Sequence, residues 1–334
     1  MRITNKMLSN NFLRDLSVNI NNFNKINEQV TSKKEFRRPS DDPFKVARAM
    51  QLHTDININK QYNKNIKDTI NYLNVTDTAL GQGVDVLKRI NELLVSAGDA
   101  PYGSGERSAI NDEIKQKVDE FGQILNTNFD GKYVFGGSRG TTKPIEVIKE
   151  NGKIELKYFK KEGGHLDLSK PEDLEQFNTL NQKLKMEISQ GVVLDYNATS
   201  IEVMQFKTDK GEERDLMKIF KSITNHLDGK DSDGTADSKD AIDKLLTDDL
   251  EGIKDSISNL LKIRSEVGAK QNRMDSAKEK NDEQNFNLKE ILSNTEDIDV
   301  TEKSIEFNIA YAVLISTLQA SAKVIQPSLL DFLR

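Results

Sequence analysis

The feature that most constrains this chain is a heptad repeat of apolar residues between positions 66 and 94. Its members are Ile66, Ile70, Leu73, Asp77, Leu80, Val84, Leu87, Asn91 and Leu94. Alternating steps of three and four residues place these side chains on one face of a helix that packs against another helix. Val86, Ile90 and Leu93 widen that face enough to reach a third helix. The pattern predicts a helical bundle rather than a two-stranded coil.

Apolar seams with helical spacing also occur near both ends of the chain. The amino-terminal seam contains Leu13, Leu16, Ile20, Phe23, Asn27 and Val30, with one polar position. In the carboxyl half one face contains Leu250, Ile253, Ile257, Leu260 and Val267. A last face begins with Ile305, Ile309, Ala312 and Val313 and leads towards Leu329 and Leu330. Both ends are therefore predicted to be helices that lie against other helices.

The segment "PSDDP", formed by Pro39, Ser40, Asp41, Asp42 and Pro43, interrupts the amino-terminal helical pattern. Pro39 lacks an N–H donor and biases the preceding residue away from the α region, so it is expected to end the first helix. Asp42 is placed as an N-cap, with Pro43 at the first position of the next helix. The segment is predicted to be an inter-domain joint. An acid/base or metal role for the two aspartates lacks partners in the sequence.

The middle of the chain changes from a helical to a strand pattern. Ile154, Leu156 and Tyr158 alternate after an Asn151–Gly152 hairpin signal. A second alternation, formed by Leu184, Met186 and Ile188, precedes another glycine turn. The predicted fold is mainly α with a β-rich insert, a long antiparallel helical rod being built from both chain ends. The expected division is into terminal coiled-coil helices at 1–39 and 295–334, a helical rod at 40–139 and 213–294, and a projecting β domain at 140–212.

Composition excludes several classes of function. Hydrophobic residues make up 36% of the chain and charged residues 31%, and the mean hydropathy is −0.63. The net charge is −6 with both signs intermixed, so no basic stripe is available for nucleic acid. The run "IAYAVLI" is too short to span a bilayer, and "MRITNKMLSNNF" has no signal-peptide core. We expect no nucleic-acid partner, no membrane insertion and, if the protein is exported, no ordinary signal peptide.

Candidate chemistry in the sequence is weak. His53, His165 and His226 lie in separate segments without neighbouring ligands, so surface or capping roles are expected for them. The acidic segment 229–240 has part of a calcium-loop pattern, but Gly229 stands where the first oxygen ligand is needed. We interpret that segment as a flexible linker. No Ser-His-Asp or Cys-His constellation is recognisable, and cysteine is absent. The sequence predicts no catalytic, cofactor or metal site.

Several stretches resemble the flagellin superfamily. They include "MRITNKMLSNNFLRDLS" at 1–17, "RRPSDDPFKVARAMQL" at 37–52, "NYLNVTDTALGQGVDVLKRINELLVSAGDA" at 71–100, "EIKQKVDEFGQILNTNFDGKYVFGG" at 113–137, "IRSEVGAKQNRMD" at 263–275 and "SLLDFLR" at 328–334. The opening stretch and "FGGSRGTTKP" are similar to the branch of the family found between hook and filament. The resemblance covers both terminal regions but not residues 141–260.

This resemblance implies a structural role and a set of partners. Subunits of this kind form a ring between hook and filament, in contact with a neighbouring hook-associated protein and with flagellin. They are exported through the flagellar type III apparatus, and an export chaperone holds the carboxyl-terminal helix beforehand. The terminal helices would form an inner coiled-coil layer. Because a half-exposed apolar stripe has too little partner surface in a lone subunit, we expect these helices to become ordered on assembly.

Other classes of protein remain open at the level of sequence. Filament flagellin is the nearest alternative, since it shares the terminal regions. Another coiled-coil assembly protein would have unbroken seams and no β insert, contrary to residues 140–212. An enzyme would have to carry its site in the middle domain. Ligand-induced shifts in melting temperature would distinguish it from an assembly protein.

Overall fold

The structure is a computed structural model that describes residues 5–98, 104–150, 153–167, 169–208, 210–232, 234 and 240–324. The helices are α1 (Asn5–Ser32), α2 (Pro43–Gly98), α3 (Ser104–Leu125), α4 (Pro171–Asn181), α5 (Ser200–Met204), α6 (Leu216–Leu227), α7 (Ala241–Lys244), α8 (Leu250–Glu296) and α9 (Val300–Val324). A π-helical turn, Leu245–Asp249, joins α7 to α8. The fold is mainly α, with long helices at both ends and small sheets between them, as the sequence predicts.

The strands form four separate antiparallel pairs. They are β1 (Asn128–Phe129) with β2 (Lys132–Tyr133), β3 (Ile145–Glu150) with β4 (Lys153–Tyr158), β5 (Lys185–Ser189) with β6 (Val192–Asp195), and β7 (Gln205–Lys207) with β8 (Glu213–Asp215). The predicted alternation is confirmed in β4, where Ile154, Leu156 and Tyr158 are buried. Helix α4 lies between two of these hairpins and was not anticipated by the strand pattern.

The chain divides into two compact units. One contains the described residues of Met1–Lys60 and Asp282–Arg334, and the other is Gln61–Asn281. Helices α2 and α8 contribute residues to both units. The division into terminal helices, rod and projecting domain that the sequence suggests stays a prediction.

The core of the second unit is built on the heptad seam of α2. Leu73, Leu80, Leu87 and Leu94 of that seam are almost fully buried, which confirms the predicted face. Helix α8 packs antiparallel to α2 and buries Ile253, Leu260 and Val267. The Leu260 side chain approaches Gly83, and the predicted third helix is α3, whose Phe121 lies against the same glycine. Close approach of the helices depends on the absence of a side chain at that position.

Polar residues fix the alignment of α2 and α8. The Arg264 guanidinium binds the Asp77 carboxylate through Nε at 2.7 Å and Nη2 at 3.1 Å. The Gln271 side-chain amide donates to Asn74 Oδ1 at 3.0 Å. Asp77 was predicted as a polar position in the apolar seam. Because its bidentate pair with Arg264 forms only when these two turns are opposite each other, the pair fixes the register of α2 against α8.

The first unit contains a break between α1 and α2 whose position differs from the prediction. Helix α1 ends at Ser32 and not at Pro39, because Lys33 adopts a left-handed conformation with φ of 58°. Expecting Pro39 to end the helix was therefore wrong. The start of α2 is confirmed, since Asp42 Oδ1 accepts from the amides of Phe44 at 3.1 Å and Lys45 at 3.0 Å. Pro43 is the first helical residue.

A candidate assembly site on the terminal helices

Helices α1 and α9 pack antiparallel along a seam of half-buried side chains. On α1 these are Phe12, Leu16, Asn19, Phe23, Ile26 and Val30, and on α9 they are Phe307, Ala310, Leu314 and Thr317. The Phe23 ring lies 5.3 Å from that of Phe307 and 6.1 Å from that of Tyr311, measured between centroids. Asn19 Nδ2 donates to Thr317 Oγ1 at 3.3 Å. The spacing is that of a coiled coil.

The contact between α1 and α9 leaves a second apolar stripe on each helix exposed. Leu13 is 50% exposed and Ile20 38%, while Ile305, Ile309 and Val313 are 57%, 60% and 45% exposed. Among residues 9–32 of α1 and 300–320 of α9, no side chain is fully buried. Exposed apolar area of this extent on paired helices is typical of a surface that another chain covers. We define these five residues as the exposed stripe.

The structure separates the predicted seam residues into two groups. Leu16, Phe23 and Val30 lie in the contact between α1 and α9, whereas the exposed stripe and Ala312 face away from it. Leu329 and Leu330 lie outside the described residues. The contact residues Ile26, Phe307, Ala310 and Leu314 were not singled out from sequence. Because apolar residues occur on every side of α9, periodicity could not choose between its faces.

A short backbone ladder joins the break after α1 to the break between α8 and α9. The Glu35 amide donates to the Glu296 carbonyl at 2.7 Å, and the Ile298 amide donates to the Lys33 carbonyl at 3.3 Å. Lys34 Nζ lies 2.7 Å from Asp297 Oδ1. The hydrogen bond from Lys34 holds the pKa of Asp297 below its ordinary value. The segment that follows α1 and the segment between α8 and α9 are therefore held together by these two backbone hydrogen bonds and by the ion pair between Lys34 and Asp297.

The residues of the predicted joint have local roles in this break. Asp41 Oδ2 accepts from the amides of Arg37 at 3.0 Å and Arg38 at 2.9 Å. These backbone hydrogen bonds, that from Arg38 first, lower the pKa of Asp41. Pro39 and Ser40 lie in the turn that this carboxylate closes. Both aspartates of "PSDDP" thus bind backbone amides, and their role as an inter-domain joint stays a prediction.

A buried Ser–His–Asp row, which sequence reasoning missed, lies in the second unit. His226 Nδ1 lies 2.5 Å from Asp249 Oδ2, and His226 Nε2 lies 3.1 Å from Ser232 Oγ. The His226 side chain is 1% exposed, so the expectation of a surface role was wrong. A substrate cannot reach an imidazole buried to this extent. The row therefore ties the segment after α6 to the π-helical turn that carries Asp249.

Neither a metal cluster nor a membrane span is found in the part of the chain that the structure describes. No group of three His, Cys, Asp or Glu side chains there is arranged to hold a metal ion. Asp231, from the calcium-like segment, accepts from Lys244 Nζ at 3.2 Å, and Asp233 lies outside the described residues. None of the described helices is both long and apolar enough to cross a bilayer.

The terminal helices pair with each other and leave the apolar exposed stripe uncovered, which is typical of a helical subunit that assembles with other chains. Comparison with known families agrees with this class. The family model of the bacterial flagellin N-terminal helical region matches residues 3–139. The family model of the bacterial flagellin C-terminal helical region matches residues 250–333. These two regions together cover well over half of the sequence. The chain belongs to the bacterial flagellin family, whose members are structural proteins of the flagellum, an extracellular structure.

Individual relatives include both flagellins and hook-associated proteins. The flagellin of Clostridium tyrobutyricum is 31% identical over 140 residues, which cover 42% of this chain and 37% of that protein. The flagellin of Halalkalibacterium halodurans is 24% identical over 92% of this chain and 89% of that protein. The flagellar hook-associated protein 3 of Escherichia coli is 22% identical over 83% of this chain and 82% of that protein.

Solved structures with a similar fold include two FlgL proteins. FlgL of Xanthomonas campestris has a TM-score of 0.56 and 14% identity, covering 72% of this chain and 99% of that one. The flagellar junction protein FlgL of Legionella pneumophila has a TM-score of 0.50 and 12% identity, covering 76% of this chain and 100% of that one. At these identities the likeness shows the fold.

Proposed function

We propose that this chain is the subunit of the junction ring between the flagellar hook and filament. The observation that carries the proposal is the exposed stripe on α1 and α9, which a lone subunit cannot bury. Burying apolar area contributes about 25 cal/mol per Å², so copies of the chain gain free energy when they cover one another's stripes. A ring of identical subunits would then contact a neighbouring hook-associated protein on one side and flagellin on the other.

A position at the junction fits the relatives better than a position along the filament. Hook-associated protein 3 of Escherichia coli aligns over most of both chains, and residues 1–17 resemble the branch of the family found between hook and filament. Filament flagellin remains the second candidate, because the Halalkalibacterium flagellin aligns over most of its length. A labelled copy of the chain distinguishes the two. We expect a narrow band at the hook tip, whereas label along the whole filament would establish a flagellin.

Charged substitutions in the exposed stripe test whether it drives assembly. In a strain that lacks the native protein, Leu13→Asp with Ile20→Asp should be exported but should leave hooks without filaments and flagellin in the medium. The matched control is Asn10→Asp with Asn22→Asp, which adds the same charge at exposed polar positions of α1. The control should build normal filaments. Normal filaments from the Leu13 and Ile20 variant would contradict the proposal.

We further propose that an export chaperone binds α9 before export. The exposed residues of α9 present an apolar face that a groove can receive, in the manner of other amphipathic helices. Deleting residues 295–334 should abolish binding in a pull-down from cells, while deleting residues 1–39 should not. Retained binding after the first deletion would place the chaperone elsewhere. Export without a cleaved signal peptide predicts that the secreted protein keeps its amino-terminal sequence.

A further inference from the structure

A cleft of about 320 Å³ opens on the second unit, where three distant segments of the chain meet. Its apolar walls include Tyr72 of α2, Phe129 of β1 and Tyr196, which follows β6. None of these elements contributes to the exposed stripe on α1 and α9. The cleft therefore needs an explanation separate from assembly.

The aromatic walls are held in place before any ligand arrives. The ring of Tyr72 lies 5.0 Å from that of Tyr196 at 83°, and 6.3 Å from that of Phe129 at 80°. The Tyr72 hydroxyl donates to the Val134 carbonyl at 2.5 Å, which fixes the central ring. Both neighbouring rings thus pack edge-on to Tyr72, and they are themselves half-buried. Preformed aromatic walls with a few polar groups are typical of ligand sites.

The polar rim of the cleft carries charges of both signs. Asp68, Asp130 and Lys132 line it and are exposed. Their side chains make no ion pair or hydrogen bond with any other described residue, although Asp77, further along the same helix as Asp68, is bound by Arg264. Two acceptor groups and one donor group are therefore free at the mouth of one aromatic cleft.

We propose that this cleft binds the ring of a neutral sugar. A sugar ring has an apolar C–H face that packs on aromatic rings, and hydroxyl groups that both donate and accept hydrogen bonds. The carboxylates of Asp68 and Asp130 accept from such hydroxyls, and the ammonium of Lys132 donates to them. The two carboxylates oppose an anionic ligand. Lys132 offsets one of their two negative charges and supplies a donor that a cationic ligand, which has no acceptor for it, would leave unpaired. This activity goes beyond the junction role and does not depend on it.

The first experiment titrates the full-length chain with free methyl glycosides of glucose, galactose, mannose and N-acetylglucosamine. Saturation-transfer NMR and calorimetry should detect binding of at least one of them with millimolar affinity. Choline, a cation, and glucuronate, an anion with the same ring as glucose, should bind more weakly. The proposal is overturned if no neutral glycoside binds, or if choline or glucuronate binds more tightly than all of them.

The second experiment places the ligand in this cleft. Asp68→Ala with Lys132→Met removes one acceptor and the donor but keeps the helix and the aliphatic stem, and should weaken binding about tenfold or more. The matched control is Asp85→Ala with Lys88→Met, which makes the same changes at exposed positions of α2 outside the cleft. Circular dichroism checks that both variants are folded. Wild-type affinity in the first variant, or an equal loss in the control, would refute the assignment.

Discussion

The cap of α2 offers a sharp test of the break between α1 and α2. Pro43 has no N–H, and the next two amides, of Phe44 and Lys45, both donate to Asp42 Oδ1 at 3.1 and 3.0 Å. The Val46 amide already bonds to the Asp42 carbonyl at 3.0 Å. Asp42→Ala therefore removes the side-chain acceptor of the Phe44 and Lys45 amides, while the hydrogen bond from the Val46 amide to the backbone carbonyl of residue 42 remains. Loss of an N-cap costs about 1 kcal/mol, which corresponds to about a fivefold change in the local opening equilibrium.

Amide hydrogen exchange measures this effect at the residues concerned. We expect the amides of Phe44 and Lys45 to exchange about fivefold faster in the alanine variant, because local opening of the first turn becomes easier. Asp42→Asn keeps a side-chain oxygen at the cap and should retain most of the protection. Asp85→Ala, which lies in the carboxyl-terminal part of α2 and far from the cap, should leave both amides unchanged. Equal exchange in wild type and Asp42→Ala would show that water replaces the carboxylate at no cost, and the reasoning would fail.

Two further predictions concern packing and pH. Gly122→Ala should destabilise the second unit by up to about 2 kcal/mol in denaturant unfolding, because its Cβ would lie 2.5 Å from Val147 Cγ2 and overpacking exceeds the gain in helix propensity. Gly268→Ala, with nothing within 4 Å of the new Cβ, should instead stabilise the chain by about 0.5–1 kcal/mol. A Gly122→Ala variant with a higher free energy of unfolding than Gly268→Ala would contradict this. The pKa of Asp297 is lowered by its hydrogen bond with Lys34, so this pair stabilises the folded break when the pH is above the ordinary carboxyl pKa of 3.8. The stabilisation is lost as the pH falls below that value and the carboxylate becomes protonated. Amide exchange at the break, corrected for its intrinsic pH dependence, should rise in that range in wild type but not in Asp297→Asn.

The helical framework was accessible from sequence because its signals are local and repeated. A heptad of apolar residues determines which face of α2 is buried, whatever partner covers it, and Leu73, Leu80 and Leu87 lie in the core accordingly. The cap at Asp42 was equally predictable, since its hydrogen bonds reach only the next three residues.

The assembly site was only half predictable. Its α1 seam was located to within one residue, but α9 is apolar on every side, and only the packing against α1 shows that Phe307 and Leu314 face inward while Ile305 and Ile309 remain free. Periodicity identifies a face when the other faces are polar. It cannot do so where apolar residues surround the helix.

What the sequence by itself determined is the order and type of the long helices, the buried face of α2 and α8, and the restart at Pro43. Only the tertiary structure decided that α1 stops at Ser32, where Lys33 turns left-handed and the chain pairs with residues more than 260 positions away. It alone brought Tyr72 to Phe129 and Tyr196, and His226 to Asp249. Helix propensity and capping act between near neighbours along the chain. The meeting of remote side chains depends on how the completed helices and hairpins pack, which no local pattern encodes.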